Sequence, residues 1–194
     1  MTPVTIPIDD TPFKDLAARE QAAVLATAEH YFFGLKMQQH PQAVVRLNQL
    51  LNLIQPRNIV EIGSGHAGLS YLFALYAANT GGRYAGFDLI EGKHAAMLND
   101  HFPQVGGTTR ADVLTDAHNV EQFARNLAAM EGRTMLGCDA GKAVEALLYI
   151  PSLKVGDFIL MHDHSPDAAT FERDIKGKVW NWFESWDERV AEMC

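Results

Sequence analysis

The sequence predicts an α/β protein built on a doubly wound, mostly parallel, Rossmann-like sheet, and three observations carry that expectation. Short apolar runs alternate with stretches of helical periodicity from residue 43 onward. The first run ends in Gly63-Ser64-Gly65-His66-Ala67-Gly68, a glycine-rich turn that opens directly into a helix pattern. Glu61, Asp88, Asp139 and Asp163 all fall at the expected carboxyl ends of strands. Ligands of open parallel sheets gather beyond those ends, so the same recurrence locates a site.

Taken in order, residues 1 to 12 hold Pro3, Pro7 and Pro12 and read as an extended tail. Phe13 to about Tyr31 carries Leu16, Ala17, Ala23, Val24 and Ala28 at helical spacing. Phe32 to Pro41 is irregular, broken at Gly34 and bearing Phe33, Met37, Gln38 and Gln39. Residues 1–42 are therefore expected to form a tail and helical cap over a pocket, and residues 43–194 the ligand-binding domain. Val44, Leu47, Leu50, Leu51 and Ile54 mark an amphipathic helix ended by Pro56. Ile59, Val60 and Ile62 suit a buried strand, and Leu69, Leu72, Phe73, Leu75 and Tyr76 a helix stopped by Asn79-Thr80-Gly81-Gly82. Tyr84 to Phe87 is a second strand closed by Asp88. Lys93 to Asp100 is a short helix, Thr108 to Ala111 a weak third strand, and His118 to Met130 a helix with Val120, Phe123 and Leu127 on one face. Thr134 to Cys138 is the fourth strand and about Ala143 to Ile150 the next helix. Lys154-Val155-Gly156-Asp157 is a turn, and Phe158 to Met161 the fifth strand, delivering His162-Asp163-His164.

The 194 residues make one domain with an ample core, and 47% hydrophobic with 21% charged is ordinary for a globular chain. The net charge of −8 and the lack of a basic cluster exclude nucleic acid as a partner. Cys138 and Cys194 form neither a disulfide framework nor metal-finger spacing. No apolar run approaches about 18 residues and the N-terminus has no signal-peptide pattern, so no membrane association and a cytoplasmic location are expected.

The unit from Asn58 to Asp88 has the layout of an adenosine-cofactor site. Glycines let the backbone approach a ligand, and a strand-end acid can accept both hydroxyls of a ribose. The turn also satisfies G-x-G-x-x-G, so a nicotinamide or flavin dinucleotide, and with the former an NAD-dependent oxidoreductase, is one alternative. Glu61, two residues ahead of the first glycine, is expected to face into the turn and repel a pyrophosphate. S-adenosylmethionine has no phosphate and carries a sulfonium and an ammonium, so the same carboxylate favours it. The candidate cofactor contacts are Glu61, Gly63, Ser64, Gly65, Gly68 and Ser70, then Asp88 with Leu89, and Asp112. Asp112 could receive the adenine amino group or cap the segment from Val113.

Asp139 and Asp163 close strands expected to be neighbours, and two carboxylates held together invite a cation between them. A hard divalent ion such as magnesium fits an oxygen set; His164 or His162 would tilt it toward manganese, iron or zinc. Lys142, three residues after Asp139, could act as general base, making Lys142, Asp139 and His164 the candidate catalytic residues.

Val60-Glu61-Ile62-Gly63-Ser64-Gly65, Asp88 and the strand spacing resemble class I S-adenosylmethionine-dependent methyltransferases over about Ala43 to Asp163. Gly34 to Pro41, His66 within the loop, and Gly156 to Asp163 are similar to the cephalosporin hydroxylase and rhamnosyl O-methyltransferase group. Asp139 with Lys142, then Asp163-His164, resembles catechol O-methyltransferase-like enzymes. The resemblance implies that Glu61, Gly63 and Asp88 hold the cofactor, Asp139 and Asp163 a divalent metal, and that Lys142 deprotonates the hydroxyl of a small metabolite or sugar-derived acceptor. Three positions depart from it: the family usually has glycine at Ala67, asparagine or threonine at His164, and often an acid at His162. Only 31 residues follow Asp163, where family members finish the sheet with two more strands. Either that hairpin is missing or a partner chain covers the edge, and Trp180, Trp182 and Trp186 would suit a homo-oligomer interface. An incomplete pocket would instead leave a catalytically silent cofactor-binding or assembly subunit.

Overall fold

A computed structural model describes residues 30–32, 35–37, 39, 41–90, 95–161 and 165–176. Five strands form one parallel sheet in the order β5-β4-β3-β6-β7: β3 (Asn58–Ile62), β4 (Arg83–Asp88), β5 (Gly106–Arg110), β6 (Thr134–Cys138) and β7 (Phe158–Met161). The order reverses between β3 and β6, so their exits flank a crevice. β3 and β6 are buried at every position because helices cover both faces, which is why these strands read as apolar runs without alternation.

Alternate residues of β3 divide the core. Ile59 joins Tyr84 and Met135 beneath α1 (Pro41–Ile54), α2 (Gly68–Thr80) and α3 (Ala95–His101). Val60 and Ile62 join Leu136, Cys138 and Tyr149 on the opposite face, beneath α4 (Ala117–Ala129) and beside α5 (Lys142–Tyr149). α2 is apolar around most of its circumference because α1, α3 and the sheet enclose it.

Two expectations change. His30–Phe32 and Leu35–Met37 form an antiparallel hairpin, β1 and β2, where a helix end and an irregular segment were expected. Only Phe33 and Gly34 separate them, the spacing of a two-residue hairpin link. Residues 1–29, the bulk of the expected cap, lie outside the described residues. The third strand begins at Gly106, ahead of Thr108, and its glycines conceal it from β-propensity. Gly106 has φ +115, and a Cβ there would meet the Tyr84 carbonyl oxygen at 2.0 Å. α3 is described over Ala95–His101, and the expected start at Lys93 lies outside the described residues. After β7 the chain makes a helical turn, Ala168–Thr170, that widens into a π turn over Phe171–Ile175. Residues 177–194, with the three tryptophans, lie outside the description. Among the described residues, no helix is long and apolar enough to cross a membrane.

Candidate functional site

The turn from β3 into α2 occupies the carboxyl end of the sheet. Gly63 has φ +88, and a Cβ on it would stand 2.7 Å from the Asp139 carbonyl carbon. This glycine therefore makes room for the neighbouring strand's exit, where the sequence suggested room for a ligand. Gly63 N–H donates to the Phe87 carbonyl (2.7 Å) and Asp139 N–H to that of Ile62 (2.9 Å), carrying the sheet ladder into the site. Gly65 is also left-handed, and its exposed N–H donates to Asp88 Oδ2 at 2.8 Å. Ala67, with φ +61, occupies a backbone conformation better suited to the glycine usual in the resembling family. The loop is closed by the Ala67 N–H, which donates to the Ser64 carbonyl (2.8 Å), and Gly68 begins α2 buried.

Asp88 holds two segments at once, because its Oδ1 accepts from the Ile90 N–H at 3.0 Å. Leu89 and Ile90, just beyond, are 58% and 75% exposed, an apolar lip on a polar rim. The Leu89 carbonyl is held by Arg110 Nε at 3.1 Å.

Glu61 does not lie on the loop surface. Its side chain is on the α2 face of β3, 1% exposed, and its Oε2 accepts from both Ser70 Oγ and the Tyr84 hydroxyl at 2.6 Å. Burial raises its pKa to about 7; the two hydroxyl donors pull it down, and Asp139 and Asp88 push it up. The expected charge facing the turn is thus set behind it and is partial at neutral pH. Ser70, expected at the cofactor, is fully buried and serves Glu61. Tyr84, absent from the candidate residues, is the other support. Its hydroxyl would lie 2.3 Å from a Cβ on Gly86, so Gly86 is the vacancy that lets the tyrosine reach Glu61. A tyrosine two positions before a glycine in a strand was the available signal.

Asp112 caps no helix, because the chain from Val113 makes a turn into which its carboxylate is built. Its Oδ1 accepts from the Leu114 and Thr115 N–H groups (2.9 and 2.8 Å) and its Oδ2 from the Thr115 hydroxyl, which lowers its pKa. Three donors of the turn share this carboxylate, and Asp116 caps α4.

Asp139 and Lys142 are brought together: Nζ lies 3.4 Å from Oδ1, with the lysine side chain 3% exposed. A lysine at a helix N-terminus is disfavoured by the helix dipole, and the aspartate offsets that. Gln39 Nε2 stands 3.5 Å from Asp139 Oδ2, so the segment after the hairpin reaches the site. The connecting turn is held by Glu145, which sequence reasoning missed. Its Oε1 accepts from the Ala140 N–H (2.9 Å) and the Gly141 N–H, Oε2 is buried, and the Cys138 thiol neighbours the carboxyl group. Burial raises the Glu145 pKa. A glutamate in the first turn of a helix, after a glycine cap, was the readable sign.

His162, Asp163 and His164 lie outside the described residues, so the expected meeting of Asp139 with Asp163 has no geometry to report. β6 and β7 are neighbours, as that meeting requires. Among the described residues, no group of three or more His, Cys, Asp or Glu could hold a metal, and Asp139 already has Lys142 as a cationic neighbour. These residues do not by themselves fit a divalent ion.

No protein-family model and no curated protein sequence matches the chain. A solved structure described as "cmcI-N160 SAH" is similar at TM-score 0.53 and 15% identity, over 91% of this chain and 86% of that one. At that identity the likeness shows the fold, a Rossmann-like sheet shared almost end to end.

Proposed function

We propose that the chain is an S-adenosylmethionine-dependent methyltransferase acting on the hydroxyl of a small metabolite or sugar-derived acceptor. One observation carries this reading: Glu61, Asp88 and Asp139 surround a single glycine loop whose exposed N–H, on Gly65, is already bonded to a carboxylate. A dinucleotide pyrophosphate would need such N–H groups free and would meet negative charge. A ligand with a sulfonium, an ammonium and no phosphate gains from the same field. The similar structure's SAH, S-adenosylhomocysteine, is what remains when S-adenosylmethionine gives up its methyl group, which supports the same cofactor class.

In this reading Asp88 accepts from the ribose hydroxyls through lone pairs not used by Gly65 and Ile90, and Leu89 and Ile90 flank the base. Glu61 acts from behind, holding α2 to β3 through Ser70. The acceptor oxygen attacks the methyl carbon, the carbon–sulfur bond breaks, and the sulfonium becomes a neutral thioether. The hydroxyl proton passes to the Asp139–Lys142 pair at the exit of β6. The donor is already activated, so alignment supplies much of the rate. No step here is routed through a metal.

Calorimetry decides the cofactor: S-adenosylmethionine and S-adenosylhomocysteine are expected to bind, and NADH to give no heat. NADH binding with no response to either adenosyl ligand would overturn the assignment. Turnover on a library of hydroxylated acceptors, with and without EDTA, then separates a methyltransferase from a silent binding subunit and shows whether a metal takes part.

A further inference from the structure

One face of the sheet carries a second concavity, running from Phe87, Ala111 and Asn119 toward the carboxyl end to Asn126 and Met130 toward the amino end. Beneath α4 a cleft of about 260 Å³ runs between helix and sheet, floored by Val60, Ala85, Phe87 and Ala111 and walled by Phe123 and Leu127. Ala85 and Ala111 present only methyl groups to it, where larger side chains would narrow the gap. Along its rim α4 sets three amides, Asn119, Gln122 and Asn126, at helical spacing.

Asn126 and Met130 also line an adjoining polar cavity of about 510 Å³ with Arg57, Asn58 and Arg83. The two spaces therefore meet at the C-terminal end of α4. Both arginines line this cavity, and their backbones meet where the Arg83 N–H donates to the Arg57 carbonyl at 2.8 Å. The aliphatic stem of Arg57 passes over Gly132, where an added Cβ would lie 2.8 Å from its Cδ. Other cations at this end are engaged: Arg133 donates to the Ile54 carbonyl, and Lys154 to that of Met130 at 2.7 Å, with Asp157 at 3.4 Å. Among the described residues, Arg57 and Arg83 are in no ion pair.

We propose that the cleft and the arginine cavity form one binding site for a small anionic amphiphile, its chain or ring beneath α4 and its carboxylate or phosphate head between Arg57 and Arg83. Both halves are needed for this assignment. The apolar cleft rewards burial of hydrocarbon, and the guanidinium pair in a chain of net charge −8 selects an anionic head. The combined space is of the size small-molecule sites occupy, about 300–1,000 Å³. Glu131 also lines the cavity, so the two guanidinium groups must outweigh its carboxylate to hold an anionic head.

The test is calorimetry on the full chain with dodecanoate and, separately, dodecyl phosphate, each below its micelle concentration. Dodecanol and dodecyltrimethylammonium serve as uncharged and cationic controls. Saturable binding of an anionic probe is expected, with the better head group distinguishing carboxylate from phosphate. The controls should bind at least about 10-fold more weakly. Arg57→Gln with Arg83→Gln, both at exposed positions, should weaken binding roughly 10- to 100-fold. Ala85→Leu should weaken it by filling the cleft, and circular dichroism verifies that each variant is folded. In backbone NMR, shifts should concentrate at Asn126, Met130 and Gly132 and spare Gly63 to Gly68. No saturable binding of either anion, equal binding by the double variant, or shifts centred elsewhere would each overturn the proposal. S-adenosylmethionine is titrated into the same sample, so this site and the cofactor reading can fail independently.

Discussion

At the carboxyl end of the sheet Glu61, Asp88 and Asp139 surround one glycine loop, whereas at the amino end Arg57, Arg83 and Arg133 precede or open the same strands. A parallel sheet makes this separation possible, because every strand exits on one side and enters on the other. β3, β4 and β6 span five or six residues, roughly 16 to 20 Å at about 3.3 Å per residue. That is more than the Debye length of about 8 Å at physiological salt, so the two ends can attract opposite charges with little mutual interference. The carboxyl end thus gathers acidic groups and the amino end basic ones.

The strongest way to break the comparison is Gly63→Ala. The methyl group would sit in a left-handed conformation and press on the Asp139 backbone at 2.7 Å, where no flexible side chain can yield. Strain of about 1–2 kcal/mol plus the displaced β6 exit should destabilise the fold by about 3 kcal/mol or more in urea unfolding. A loss below about 1 kcal/mol would mean that the loop rebuilds freely.

Glu61→Gln sharpens the acidic end. A folded pKa of about 7 against an unfolded 4.5 means that the native state holds a proton the unfolded chain releases. The stability this contributes is fully present below about pH 4.5 and is lost as pH rises through about 7, a change of about 3 kcal/mol. The glutamine variant should lack that slope, gaining on the parent protein between pH 5 and 8. Parallel stability–pH curves would show that Glu61 is charged throughout.

Asp88→Asn tests the independence of the two ends. It should weaken S-adenosylmethionine binding by roughly 10- to 100-fold in calorimetry through loss of a charged acceptor, while dodecanoate affinity changes less than about twofold. A comparable loss at both would show that the ends are coupled. The smallest effect is expected for Ala67→Gly. Relief of a left-handed alanine and the greater unfolded-state freedom of glycine oppose each other at about 1 kcal/mol each, so stability should move by less than about 0.5 kcal/mol.

The strands and their acidic ends were legible because apolar runs, glycines and strand-closing carboxylates are local patterns. Asn58–Ile62, Thr134–Cys138 and Phe158–Met161 needed only composition and their bounding turns. Gly106–Arg110 was shifted because two of its five residues are glycines that make way for Tyr84 and Asn99, contacts with distant parts of the chain. Asp112 was ambiguous until its turn partners were seen. The pairing of Arg57 with Arg83 was invisible because the residues are far apart in sequence and adjacent only across the ladder.

By itself the sequence determined the parallel α/β architecture, the glycine turn after the first sheet strand and the acids at the strand exits, since each follows from periodicity and turn chemistry within a short window. Only the tertiary structure decided what those groups do. It turned Glu61 and Ser70 inward, gave Gly63 to Asp139, tied Asp88 to Gly65 and set Lys142 against Asp139. The physical reason is that a side chain's charge and contacts depend on neighbours supplied by other strands and helices, and register across the sheet chooses them.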